Sequence, residues 1–165
     1  MRAAPFLLCL LLAACGSGRQ VATVAPLRPE LGEPLSCVPY ARARSGILLA
    51  GDAWQWWDAA AGRYERGSTP RPGSVLVLAR TPRNPSGHVA VVSRVVGGRE
   101  VLVDHANWAS GAARGRIATD QRVVDVSARG DWSLVRVFYP RIGDLGATAY
   151  PALGFVHPAS RLAAR

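Results

Sequence analysis

Five apolar runs rich in β-branched residues fill the second half of the chain: SVLVLA (Ser74 to Ala79), HVAVVSRVV (His88 to Val96), EVLVDHANW (Glu100 to Trp108), QRVVDVS (Gln121 to Ser127) and LVRVFYP (Leu134 to Pro140). Glycine, proline or asparagine separates them, and the pattern predicts five β-strands. Gly97 and Gly98 between the second and third runs read as a two-residue hairpin. Alternation along the third run puts Val101, Val103, His105 and Asn107 on one face and Leu102, Asp104, Ala106 and Trp108 on the other.

Ahead of the strands the pattern is helical. Ser36 stands at an N-cap position, Cys37 is the first helical residue, Pro39 falls in the first turn where its missing N–H does no harm, and Gly46 ends the helix. A second helix is expected in GDAWQWWDAAAGRY, capped by Asp52 and stopped by Gly62. Trp54 and Trp57, three apart, read as a core stripe in preference to a sugar-stacking platform. Helices followed by an antiparallel sheet make the class α+β.

The first residues differ from the rest. MRAAPFLLCLLLAACG has one positive charge at Arg2, a short apolar run and small residues before Cys15, the layout of a secretory signal. The run is too short to span a bilayer, which takes about 20 residues. LAAC resembles the lipobox of bacterial lipoproteins, so Cys15 is expected to carry lipid in preference to an ordinary secretory cut. GSGRQVATVAPLRPELGEP reads as a tether. The expected organisation is a signal over 1–14, a tether over 15–35, one catalytic domain over 36–157 and a tail over 158–165. Export to the periplasm or cell envelope follows, with a membrane anchor through lipid.

A chain of 165 residues, 49% of them hydrophobic, has enough material for one packed domain. Its 20 cations are all arginine and its formal net charge is +9. That charge favours anionic envelope surfaces. The arginines are scattered rather than clustered with aromatics, so nucleic acid is not an expected partner, and a monomer is expected.

Cys9 lies in the signal and Cys15 at the lipobox, which leaves Cys37 as a lone thiol with no disulfide partner. Lone cysteines are often small buried hydrophobes. At a helix N-terminus, however, the helix dipole and a nearby imidazolium favour the thiolate, and the expected thiol pKa is lowered. His88 at a strand mouth is placed to take the thiol proton and return it to a leaving amine. Asn107 or His105 is available to hold the imidazole, and the Cys37 N–H to face an oxyanion.

The blocks CVPYARARSG, GDAWQWW, RPGSVLVL, GHVAVVSRVV and HANW, in this order and spacing, resemble the cysteine, histidine-dependent amidohydrolase/peptidase (CHAP) family. The resemblance runs from about Ser36 to Tyr139. It implies a papain-like α+β fold, with the nucleophile at a helix N-terminus packed on an antiparallel sheet or half-barrel. It also implies hydrolysis of peptidoglycan amide bonds through a thioester, with Cys37 as nucleophile and His88 as base. Many members have glutamate where this chain has His105 and glutamine where it has Ser36; Asn107 is taken as the orienting residue, with His105 second. Some relatives bind calcium through acids near the nucleophile, but none cluster around Cys37, so neither metal nor cofactor is expected. The alternatives are an amidase on a small amide and a non-catalytic envelope-binding lipoprotein.

Overall fold

The computed structural model describes residues 35–108 and 114–159. The expected signal, Cys15, all but the last residue of the expected tether and most of the expected tail lie outside the described residues. Among the described residues no helix is long and apolar enough to cross a membrane.

Helix α1 (Cys37–Ser45) leads into a 3-10 turn (Ala53–Gln55) and a four-residue helix α2 (Trp56–Ala59). Seven strands follow: β1 (Arg66–Gly67), β2 (Val75–Leu78), β3 (His88–Gly97), β4 (Glu100–Ala106), β5 (Ile117–Asp125), β6 (Leu134–Tyr139) and β7 (Asp144–Val156). They run in the order β1-β7-β2-β3-β4-β5-β6, and β6 also pairs with β7, so six antiparallel strands close into a barrel with β1 outside the ring. The five strands read from the sequence are present. The antiparallel sheet behind N-terminal helices is present, but strand dominates, the helices are short, and the expected sheet or half-barrel closes into a barrel.

Closure is the work of β7, which was not expected. Its first half pairs with β6, from Asp144 against Tyr139 to Pro151 against Leu134, and its second half with β2, from Ala152 against Leu78 to Val156 against Val75. The change of partner falls at Pro151. This residue has no N–H to donate to a ladder, and its carbonyl accepts from the Ala79 N–H at 2.9 Å. DLGATAYPALGFV hides its strand character because Gly146, Pro151 and Gly154 interrupt it and only its last three residues are buried.

Two apolar layers explain the unbroken hydrophobic run of β2. Val75 and Val77 face outward onto Ile47, Leu49, Trp56, Val89 and Val91 under the helices. Leu76 and Leu78 face the barrel interior with Val92, Val103, Trp132 and Phe155. A strand buried on both faces has no polar side to alternate with. The second helix is shorter than expected and presents a different tryptophan: Trp56 is fully buried, whereas Trp54 and Trp57 are half-buried beneath the guanidinium groups of Arg80 and Arg66, at 5.3 and 4.8 Å. The turn from Trp54 to Trp57 is partly 3-10, so spacing of three does not aim both rings at the core.

Candidate active site

Ser36 is extended at the N-cap of α1, and Gly46, left-handed with φ 75°, closes the other end by donating its N–H to the Arg42 carbonyl at 3.0 Å. Arg42 and Arg44 occupy the last turn, where cations complement the helix dipole. Arg44 Nε also donates to the buried Asp104 carboxylate of β4 at 3.0 Å, and the other oxygen of that carboxylate accepts the Asp120 N–H. Ala41 packs with Val89 and Val91 of β3. The helix is thereby held across β3 and β4 with Cys37 at its open end.

The thiol is set differently from the sequence expectation. Backbone N–H groups of Val89, Cys37 and Val38 point toward the sulfur and favour its anion, but burial outweighs them and, with a smaller push from the Asp52 carboxylate, raises the thiol pKa above its ordinary value. Desolvation wins because only three N–H groups oppose it, one from β3 and two from the first turn of α1.

His88 enters β3 directly after Gly87, whose φ is +65°. A β-carbon at Gly87 would stand 2.6 Å from the Leu78 carbonyl oxygen and 2.9 Å from Trp54, so this turn accepts only glycine. His88 Nε2 and His105 Nδ1 are 3.2 Å apart, both rings buried. Burial, then the neighbouring His105, hold His88 well below the ordinary imidazole value. Burial pushes His105 down to about 4, opposed by Asp104. At neutral pH the resting site therefore holds a thiol and two neutral imidazoles.

Asn107 does not sit against His88 in the way the sequence reading assumed. Its backbone is left-handed, with φ 59°, its Oδ1 accepts the Gly115 N–H at 2.9 Å and its own N–H donates to the Arg116 carbonyl at 2.9 Å. Asn107 thus shapes the exit from β4 while lining the same cleft as Cys37 and His88. The left-handed residue also breaks the strand alternation. Trp108, expected opposite His105, turns back onto its face, with ring centres 5.7 Å from His105 and 4.7 Å from His88. His157 lies elsewhere, its N–H donating to the Glu65 carbonyl.

Cys37 and His88 open into one cleft of about 590 Å³. Asp52, Arg83, Tyr139 and Tyr150 also line it, none of them foreseen as site residues. They come from the turn before the 3-10 segment, the loop before β3, the end of β6 and the middle of β7, so no local spacing joins them. A thiol, an imidazole and a second imidazole within hydrogen-bond distance of it, in one half-polar cleft, are groups suited to acyl transfer.

No curated protein matches the chain. A family model, the CHAP domain, matches residues 29–107, a stretch that takes in Cys37, His88, His105 and Asn107. Most of the residues lining the cleft fall in that stretch, and the match supports the CHAP domain family for it.

Proposed function

We propose that the protein is a cell-wall hydrolase, an amidase or endopeptidase that cuts amide bonds of peptidoglycan with Cys37 as nucleophile and His88 as base. The family supports hydrolysis of this kind. The observation that carries the residue assignment is the shared cleft of Cys37 and His88, with His88 Nε2 3.2 Å from His105 Nδ1. A helix bearing the cysteine, followed by antiparallel strands bearing the histidine, also supports a papain-like reading of the fold.

The steps follow from the charge states. Because thiol and imidazole both rest neutral, the thiol proton passes to His88 Nδ1 as the sulfur attacks the amide carbonyl, rather than beforehand. Nε2 is occupied by His105, which leaves Nδ1 as the free position. The developing oxyanion lies near the Cys37 N–H. Collapse breaks the C–N bond, His88 returns its proton to the leaving amine, and a thioester remains on Cys37. Water then loses a proton to His88 and adds to the thioester; the C–S bond breaks and the thiolate recovers its proton. His105 accepts from the Nε2–H of the transient His88 imidazolium and fixes its ring, and so takes the orienting role first assigned to Asn107.

On this reading the signal over 1–14 exports the chain and lipid on Cys15 holds it, as a monomer, at the envelope; once Arg2 leaves with the signal, 19 arginines against 11 acids give +8, which favours an anionic polymer. Purified peptidoglycan incubated with the protein should release soluble fragments whose new termini, read by mass spectrometry, name the bond. Cys37→Ala should release none; release at the parent rate overturns the mechanism.

A further inference from the structure

A second cavity, also about 590 Å³, adjoins the catalytic cleft and shares Arg83, Trp108, Tyr139 and Tyr150 with it. Beyond these four it runs over the β6–β7 hairpin, with Gly146, Ala147 and Thr148 along one side and Ile142, 60% exposed, at the rim. The three aromatic residues are half-buried, so each keeps part of its ring in contact with solvent. Trp108 and Tyr150 meet edge to face at 5.0 Å and hold each other's orientation. Gly146 and Ala147 add little side-chain bulk along this stretch. Among the described residues Arg83 forms no ion pair with an acid, and none of the residues lining the second cavity is acidic.

We propose that this second cavity is a saccharide subsite, and that the substrate is cut while still joined to its glycan. Pyranose rings present patches of C–H to aromatic faces and hydroxyl and acetamido oxygens to fixed donors. Trp108, Tyr139 and Tyr150 supply the faces, and the Arg83 guanidinium supplies the donors at the junction of the two cavities. Small residues along the hairpin leave width for a ring. The inference rests on the hydrolase reading for its direction: Trp108 lies against His88, so a sugar seated on it is adjacent to the bond cut at Cys37.

The test has two arms. N-acetylated chitotetraose, an uncharged N-acetylglucosamine oligomer, should quench the tryptophan fluorescence of Cys37→Ala protein and shift the Trp108 indole resonance. Thr148→Trp, an exposed substitution that fills the cavity, and Arg83→Ala should each weaken that binding. Absence of binding at millimolar oligomer, or binding untouched by both substitutions, overturns the subsite. In the second arm, kcat/KM of Thr148→Trp on a glycan-linked peptide should fall by roughly tenfold or more. On the sugar-free stem peptide it should hold, and an equal fall on both also overturns the proposal. If the parent turns over neither substrate yet still binds chitotetraose in a way Thr148→Trp abolishes, the hydrolase reading fails and the saccharide site stands.

Discussion

His88 Nε2 and His105 Nδ1 face each other at 3.2 Å with both rings buried beside Trp108. One imidazole is thereby placed to hydrogen-bond the other, and on the proposed mechanism it fixes the tautomer, a role filled in many hydrolytic sites by a carboxylate or an amide. A neutral partner stabilises the His88 imidazolium less than a carboxylate does, so nothing offsets the burial that chiefly depresses the proton affinity of His88.

Removing His105 should therefore cost turnover through His88. His105→Ala is expected to lower kcat on peptidoglycan fragments by roughly a hundredfold, with KM little changed. His105→Asn, which keeps a hydrogen-bonding group, should recover part of the loss, and the pH midpoint of kcat/KM should move in both variants. Full activity in His105→Ala with an unmoved pH profile excludes the orienting role.

Buried neutral histidines make folding sensitive to mild acid. The folded values of His88 and His105 lie below the ordinary imidazole value, so their contribution is complete above about pH 6.5. As pH falls the unfolded chain takes up protons that the folded chain refuses, and His105 goes on losing stability down to its folded value of about 4. By about pH 5 His105 is expected to have cost on the order of 2 kcal/mol, and His88 adds to the loss in the same direction. Urea midpoints at pH 7 and pH 5, a window above the usual carboxylate range, should show the drop. Equal midpoints refute it.

The thiol makes a prediction of opposite sense. Burial raises its pKa, so iodoacetamide labelling of Cys37 without substrate should climb with pH along a curve displaced to the alkaline side of a free cysteine peptide. A curve displaced to the acid side indicates a preformed thiolate and imidazolium.

Gly87 carries the turn that delivers His88. A β-carbon there meets both the backbone of Leu78 and Trp54, and the positive φ adds strain, so Gly87→Ala should lower stability by about 2 kcal/mol or more. Thermal melting measures it. Gly46→Ala supplies the contrast: φ is also positive but nothing lies within 4 Å of the new carbon, so only the backbone strain of about 1 kcal/mol is expected.

Much of the site is written locally. Ser36 and Gly46 bracket α1 and put Cys37 at its start, Gly87 sets His88 at the head of β3, and β-branched runs mark five strands, because caps, turns and side-chain alternation depend on residues a few positions apart. Tertiary structure decided the rest. The ring is closed by β7, whose exposed, glycine- and proline-broken sequence takes its strand form from pairing with β6 and β2. A left-handed Asn107 turned Trp108 onto the face of His105, and with it the partner of His88 changed from the amide to the second imidazole. The charge state of Cys37 also belongs to the assembled molecule, since desolvation is exerted by whatever packs around the sulfur and is absent from the pattern of its neighbours in sequence.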